Sequence, residues 1–171
     1  NGAAPLGSLL TYAQAQGGAL TYRNWVEGIA RGRTVVSRNG HNEFLALTVN
    51  GTATPGDELQ SPAGAGLPVT VRWTAAEPLS GTIQLVHNGV VVASAQASAA
   101  PGAPATLTAT VQFPKSGWLA ARRMEGDWHV LHTAAVFVTV DGKPVRASAA
   151  DANFYVQWID SLLAKTSPGG E

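Results

Sequence analysis

The chain is 171 residues long, 45% hydrophobic, and carries 11 basic against 11 acidic residues, so it has no formal net charge. That length suffices for one domain with a core of its own, and the charge balance provides no field to attract nucleic acid or an anionic membrane surface. Cysteine is absent, which excludes disulfides, thiolate metal sites and cysteine redox chemistry.

No apolar run approaches the ~20 residues that span a bilayer, so no membrane span is expected. The ends, Asn1-Gly2-Ala3-Ala4-Pro5 and Ser167-Pro168-Gly169-Gly170-Glu171, have the composition of flexible termini. Residues Leu6 to Leu20 fit either a helix or irregular chain. Tyr22, Trp25, Val26 and Ile29 recur at helical spacing, with Thr21 as N-cap and Gly32 as C-cap, predicting a helix over 22–31. Thr34-Val35-Val36-Ser37 reads as a short strand and Asn39-Gly40 as the turn after it. Phe44, Leu45, Leu47 and Val49 give the next strand, closed by Asn50-Gly51; the Gly-, Pro-, Thr- and Ser-rich stretch to Pro68 reads as a surface loop.

From Val69 the punctuation becomes regular. Val69 to Thr74, Thr82 to Val86, Val90 to Ala95, Thr106 to Phe113, Trp118 to Met124 and Ala134 to Val140 are short and β-rich, the rhythm of a sandwich. Asn88-Gly89 between two valine-rich runs is the clearest hairpin signal, because both central residues of a type I′ turn need positive φ. Asp141-Gly142 marks another hairpin or a strand end, and the run around Pro101 a loop. Phe154, Tyr155, Trp158, Ile159 and Leu162 follow a helical period, with Asp151 near the start, where its charge suits the macrodipole. Trp25 and Trp158 are expected to anchor the apolar faces of the two helices. The fold class expected is therefore mainly β: an immunoglobulin-like antiparallel β-sandwich with an N-terminal helical segment and a C-terminal amphipathic helix.

Chemistry is sparse. His129 and His132 have a His-x-x-His spacing beside Asp127, but Trp128, Val130, Leu131 and Thr133 favour extended chain, where residues three apart point to opposite faces. Ordinary histidines are expected there, not a metal site. His87 sits in a hairpin turn for conformational reasons. Arg38, Asn39, His41, Asn42 and Glu43 gather polar groups in one turn; they either form a solvated turn capped by its own side chains or border a cleft on a neighbouring domain. Glu43 has no second carboxylate at a spacing suited to acid–base catalysis. No nucleophile elbow, phosphate-cradling glycine loop or HExxH motif occurs. Trp73, Trp118 and Trp128 fall on or beside strands and are expected in the core, a sugar-binding platform being the alternative. Arg122, Arg123 and Arg146 are too few for a nucleic-acid footprint.

The run Tyr22-Arg23-Asn24-Trp25-Val26-Glu27-Gly28-Ile29-Ala30-Arg31-Gly32-Arg33-Thr34-Val35-Val36-Ser37-Arg38-Asn39-Gly40, followed by Leu47-Thr48-Val49-Asn50-Gly51 and Pro55-Gly56-Asp57, resembles the C-terminal part of PHP-type metallohydrolases of the carbaryl-hydrolase-like (CehA/McbA) branch. The hairpin at Val86-His87-Asn88-Gly89, the run Ser116-Gly117-Trp118-Leu119-Ala120-Ala121-Arg122 and the closing Phe154-Tyr155-Val156-Gln157-Trp158-Ile159-Asp160 extend the similarity over nearly all of the chain from Tyr22.

The resemblance implies a parent enzyme that hydrolyses ester, amide, carbamate or phosphoester bonds with divalent metals activating water. The family's His-x-His pair and its other His and Asp ligands have no counterpart here, so the resemblance assigns no catalytic residue, metal ligand or cofactor to this chain. It implies a link to an upstream barrel over 1–40, a β-sandwich over 41–149, and a closing helix with a flexible tail over 150–171. The upstream catalytic domain is the expected partner, with Arg38, Asn39, His41 and Glu43 as the residues that would border its cleft. Nucleic acid is not expected as a partner. A periplasmic or extracellular location is favoured by the same resemblance. The alternative reading is a carbohydrate- or surface-binding sandwich of a secreted protein.

Overall fold

The computed structural model describes residues 5–15, 19–146 and 148–166. In chain order these form β1 (Leu10–Ala13), α1 (Tyr22–Ala30), β2 (Thr34–Ser37), β3 (Glu43–Val49), β4 (Glu58–Ser61), β5 (Gly66–Ala75), β6 (Leu79–His87), β7 (Val90–Ala99), β8 (Ala105–Gln112), β9 (Gly117–Glu125), β10 (Trp128–Thr133), β11 (Val136–Val140) and α2 (Ala149–Thr166). The result is an immunoglobulin-like β-sandwich, as the alternation of short strands and turn residues predicts.

Three strands make the smaller sheet, in the order β3-β5-β8 and wholly antiparallel. The larger sheet is built around β9. One side of β9 pairs with β6, which carries β7; the other pairs first with β11 and then with β10, which continues to β2 and β1. One pair is parallel: β4 runs alongside β11, with Leu59 beside Val138. Leu45, Leu47, Val71 and Trp73 of the small sheet face Ile83, Leu85, Leu119 and Leu131 of the large one, all essentially inaccessible to solvent. Each such aliphatic side chain contributes roughly 1.5–3 kcal/mol relative to exposure.

Pro68 lies inside β5 without breaking the sheet. Its carbonyl accepts from the Asn50 amide at 2.8 Å, so its nitrogen points to the same side, just past the end of β3, where no ladder bond is lost. At the β6–β7 turn, Asn88 and Gly89 have φ of 48° and 86°, as a type I′ hairpin requires. The Asn88 side chain also accepts from the Trp118 amide at 2.9 Å, tying the hairpin to β9.

The Thr21 hydroxyl caps α1 by accepting from the Asn24 amide at 3.2 Å. The helix meets the end of β1 through Gly28, where a Cβ would stand 2.1 Å from the Gln14 carbonyl oxygen. Only glycine allows that approach. Gly56, at φ +89°, packs similarly against the Arg31 carbonyl, and Asp57 beside it accepts from Arg33 at 2.8 Å and from the Thr54 amide at 2.9 Å. The Pro55-Gly56-Asp57 motif thus clamps the α1–β2 junction to the β3–β4 loop.

Several expectations are corrected. Part of 6–20 is a strand, because Leu10 to Ala13 pairs with β2. The stretch expected as loop before Pro68 contains β4. β1 and β2, within 1–40, are strands of the large sheet. Trp25 and Trp158 do not anchor their helices: both remain substantially exposed, and no residue of α2 is buried. The expected tail at 167–171 lies outside the described residues. No helix among the described residues is long and apolar enough to cross a membrane.

Candidate functional site

The turn after β2 is organised by Ser37. Its hydroxyl donates to the Gly40 carbonyl at 3.0 Å and accepts from the Asn39 amide at 3.1 Å. The Arg38 amide donates to the Val130 carbonyl at 2.7 Å, which holds the turn against β10. The Tyr12 hydroxyl donates to the Gly40 carbonyl at 3.1 Å and lies 3.2 Å from His41 Nδ1. Burial raises the Tyr12 pKa above its ordinary value.

The four residues singled out in this turn separate into two groups. Arg38 and His41 are exposed on the surface. Glu43 points inward and is buried, with its carboxylate accepting from Trp73 Nε1 at 2.8 Å, Arg123 Nη1 at 3.2 Å and Asn39 Nδ2 at 3.0 Å. Arg123 is equally buried; it also donates to the Ser80 carbonyl at 2.9 Å and to Glu125 at 3.0 Å, and its guanidinium lies 4.8 Å from the Trp73 ring centroid. Gly81 leaves room for this guanidinium, since a Cβ there would come within 2.9 Å of Arg123 Nε. The Glu43 carboxylate is therefore a structural charge tying the two sheets together, with Asn39 as its lid.

In the sequence Arg123 counts only among arginines too few for a nucleic-acid footprint, whereas the fold makes it the buried partner of Glu43. The signal was its phase: in β9 it falls on the same face as Leu119 and Ala121, which are buried. A charged residue in register with apolar neighbours calls for a buried partner.

The outer face of the large sheet carries the other polar feature. β10 pairs with β9 through a bulge, His129 standing opposite Met124 and Leu131 opposite Arg123, so Val130 is the extra residue. The bulge resets the alternation. It brings His129 and His132 to the same face with ring centroids 5.6 Å apart, correcting the expectation that they point apart. The His132 pKa is lowered by burial first, and then by the nearby His129 and Arg38. Beside His132, a shallow pocket of about 410 Å3 is lined by Val86, Trp118, Ala120, Arg122 and Phe137, with Arg122 held by the Gln84 side chain at 2.7 Å. No group of three or more His, Cys, Asp or Glu able to hold a metal occurs among the described residues.

An apolar cleft of about 460 Å3 opens on the other flank, between β1–β2 and β3, lined by Tyr12, Val35, Phe44, Leu45 and Leu47. His87 packs its ring 4.5 Å from that of Phe113, and burial lowers its pKa. The tryptophans divide. Trp73 is wholly buried, Trp118 half-buried, and Trp128, at 71% exposure, lies outside the core expected for it.

No known family model matches the sequence, and no curated protein matches it. Among solved structures, the solution NMR structure of the CARDB domain of PF1109 from Pyrococcus furiosus is similar, with 17% identity, coverage of 60% of this chain and 98% of that chain, and a TM-score of 0.42. The crystal structure of the same domain in complex with di-metal ions gives 16% identity, coverage of 58% and 96%, and a TM-score of 0.40. At these values the likeness carries no functional content.

Proposed function

We propose that this chain is the non-catalytic accessory sandwich of a metal-dependent hydrolase of PHP type, and that α1 packs on the upstream catalytic domain. The observation that carries this reading is the exposed apolar stripe of α1. Tyr22, Trp25, Val26 and Ile29 recur at helical spacing and all lie open to solvent, although an amphipathic helix gains most of its stability by burying such a face. The stripe lies within the segment whose sequence resembles the exit from the family's barrel.

On this reading Arg38 and His41 border the upstream cleft from the adjoining turn, while Glu43 and Asn39 hold that turn in place. The divalent ions that the resemblance implies belong to the upstream domain. Among the described residues, His129 and His132 supply two imidazoles without a third donor.

The test is a longer protein that includes the coding sequence upstream of Asn1. Limited proteolysis between the two parts should leave them associated, and Trp25→Asp with Ile29→Asp should release the sandwich while leaving it folded. An upstream region lacking a metal-binding barrel, or a sandwich that elutes free after proteolysis of the unsubstituted protein, overturns the reading.

Exposure of Trp128 on the β9–β10 hairpin favours a second reading, recognition of a carbohydrate or surface. Saturable quenching of tryptophan fluorescence by oligosaccharides, abolished by Trp128→Ala, would support it; a flat titration would remove it.

A further inference from the structure

Every residue of α2 is exposed. Phe154, Tyr155, Val156, Trp158, Ile159 and Leu162 each present between 45% and 63% of their surface to solvent. At about 100° per residue, these six lie within a single arc of roughly 200°, and Asn153, Gln157, Asp160 and Ser161 occupy the opposite side. A helix of this kind is stable only when the arc is covered.

We propose that α2 is a homodimerisation helix, pairing antiparallel with α2 of a second copy of this chain. Area is the first argument. Six half-exposed large side chains present on the order of 600 Å2 per helix, so two helices offer about 1,200 Å2, the lower bound for a specific interface.

Charge is the second argument, and it selects both occupant and orientation. Asp151 stands in the first turn of α2 and Lys165 in the last. Fourteen positions at about 100° bring them within roughly 40° of one another around the helix, inside the arc on its Phe154 and Trp158 side. In an antiparallel twofold pair the same edges of the two helices meet, so each Asp151 lies beside the Lys165 of the other copy. A parallel twofold pair instead brings opposite edges of the arc together and leaves Asp151 and Lys165 about 21 Å apart along the axis, out of reach of one another. One oxygen of Asp151 is engaged by the Ser148 hydroxyl at 2.6 Å, which leaves the other available.

A lipid surface fits less well. Helices that lie in the membrane interface are rich in Lys and Arg, whereas the charged residues of α2 are Asp151, Asp160 and Lys165. The proposal is independent of the reading of α1, because it concerns a different helix and is tested on this chain alone.

The experiment is sedimentation velocity and light scattering on the 171-residue chain over a range of concentrations. A species of twice the 17.6 kDa chain mass is expected. Leu162→Asp should yield the monomer with the cooperative urea unfolding of the sandwich retained. Lys165→Glu should weaken dimerisation several-fold, and the charge reversal Asp151→Lys with Lys165→Glu should restore it.

Orientation can be read directly because the chain has no cysteine. Mixed Ala149→Cys and Thr166→Cys chains should form a disulfide with each other, and Ala149→Cys chains should not pair among themselves. A monomer at the highest concentration, a dimer unaffected by Leu162→Asp, or self-crosslinking of Ala149→Cys would each overturn the proposal.

Discussion

Replacing Arg123 by Met tests whether the two sheets are joined by a desolvated ion pair. The substitution removes the donors to Glu43 at 3.2 Å and to the Ser80 carbonyl at 2.9 Å, leaving a buried carboxylate with only Trp73 and Asn39 as partners. Breaking a buried pair from one side costs about 3–5 kcal/mol, set against a total stability of about 5–15 kcal/mol. In melting temperature this is a fall of ~6–20 °C, at about 2–4 °C per kcal/mol for a chain of this size. Urea unfolding followed by tryptophan fluorescence is the assay; the midpoint should fall with the slope unchanged. Glu43→Leu combined with Arg123→Met removes both charges and should be more stable than Arg123→Met alone, the remaining deficit being about 1–3 kcal/mol for the orphaned Trp73 and Ser80 groups. A cost for Arg123→Met below about 1 kcal/mol, as for an exposed pair, would refute the reasoning, as would additive effects in the double-mutant cycle.

Other outcomes follow from packing and charge. Gly28→Ala drives a Cβ into the Gln14 carbonyl oxygen; a loss of about 1–3 kcal/mol and faster amide exchange in α1 are expected. Asn88→Ala loses the bond to the Trp118 amide and puts alanine at φ 48°, costing roughly 1–3 kcal/mol. Asn88→Gly should cost less, because it keeps the backbone geometry. His87 and His132 both have lowered pKa values, so the unfolded chain binds protons more readily than the folded one. Their contribution is complete above the ordinary histidine pKa of about 6.5 and is lost as pH falls through that value toward the lower folded ones. Chemical denaturation between pH 8 and pH 5 should show the decline, and His132→Gln should flatten it.

Local signals were legible wherever chemistry and conformation coincide. Thr21 caps α1 and Asn88-Gly89 makes a type I′ turn because each needs only its immediate neighbours. Long-range pairing was less legible. β4 is four residues long and owes its place to β11, far along the chain, and β1 acquires strand character from β2. The His129–His132 pair was misread because one extra residue, Val130, inverts the alternation, and a bulge leaves no mark in residue type. Glu43 looked like a surface group because a polar turn precedes it; its burial depends on Arg123 and Trp73, which only the fold brings near.

The Glu43–Arg123 contact also sets a timetable. The partners are 80 residues apart, and at synthesis rates of about 5–20 residues per second Glu43 leaves the ribosome ~4–16 s before its guanidinium exists. During that interval β3 and β5 can pair, but the carboxylate has no cation and Trp73 has no opposing sheet. The small sheet is thus made early and completed late. The N-terminal strands wait longer still, since β2 needs β10. Substitutions that slow closure across the Glu43–Arg123 contact would therefore lengthen the exposure of the nascent chain, and their effect on yield should exceed what the stability of the finished protein suggests.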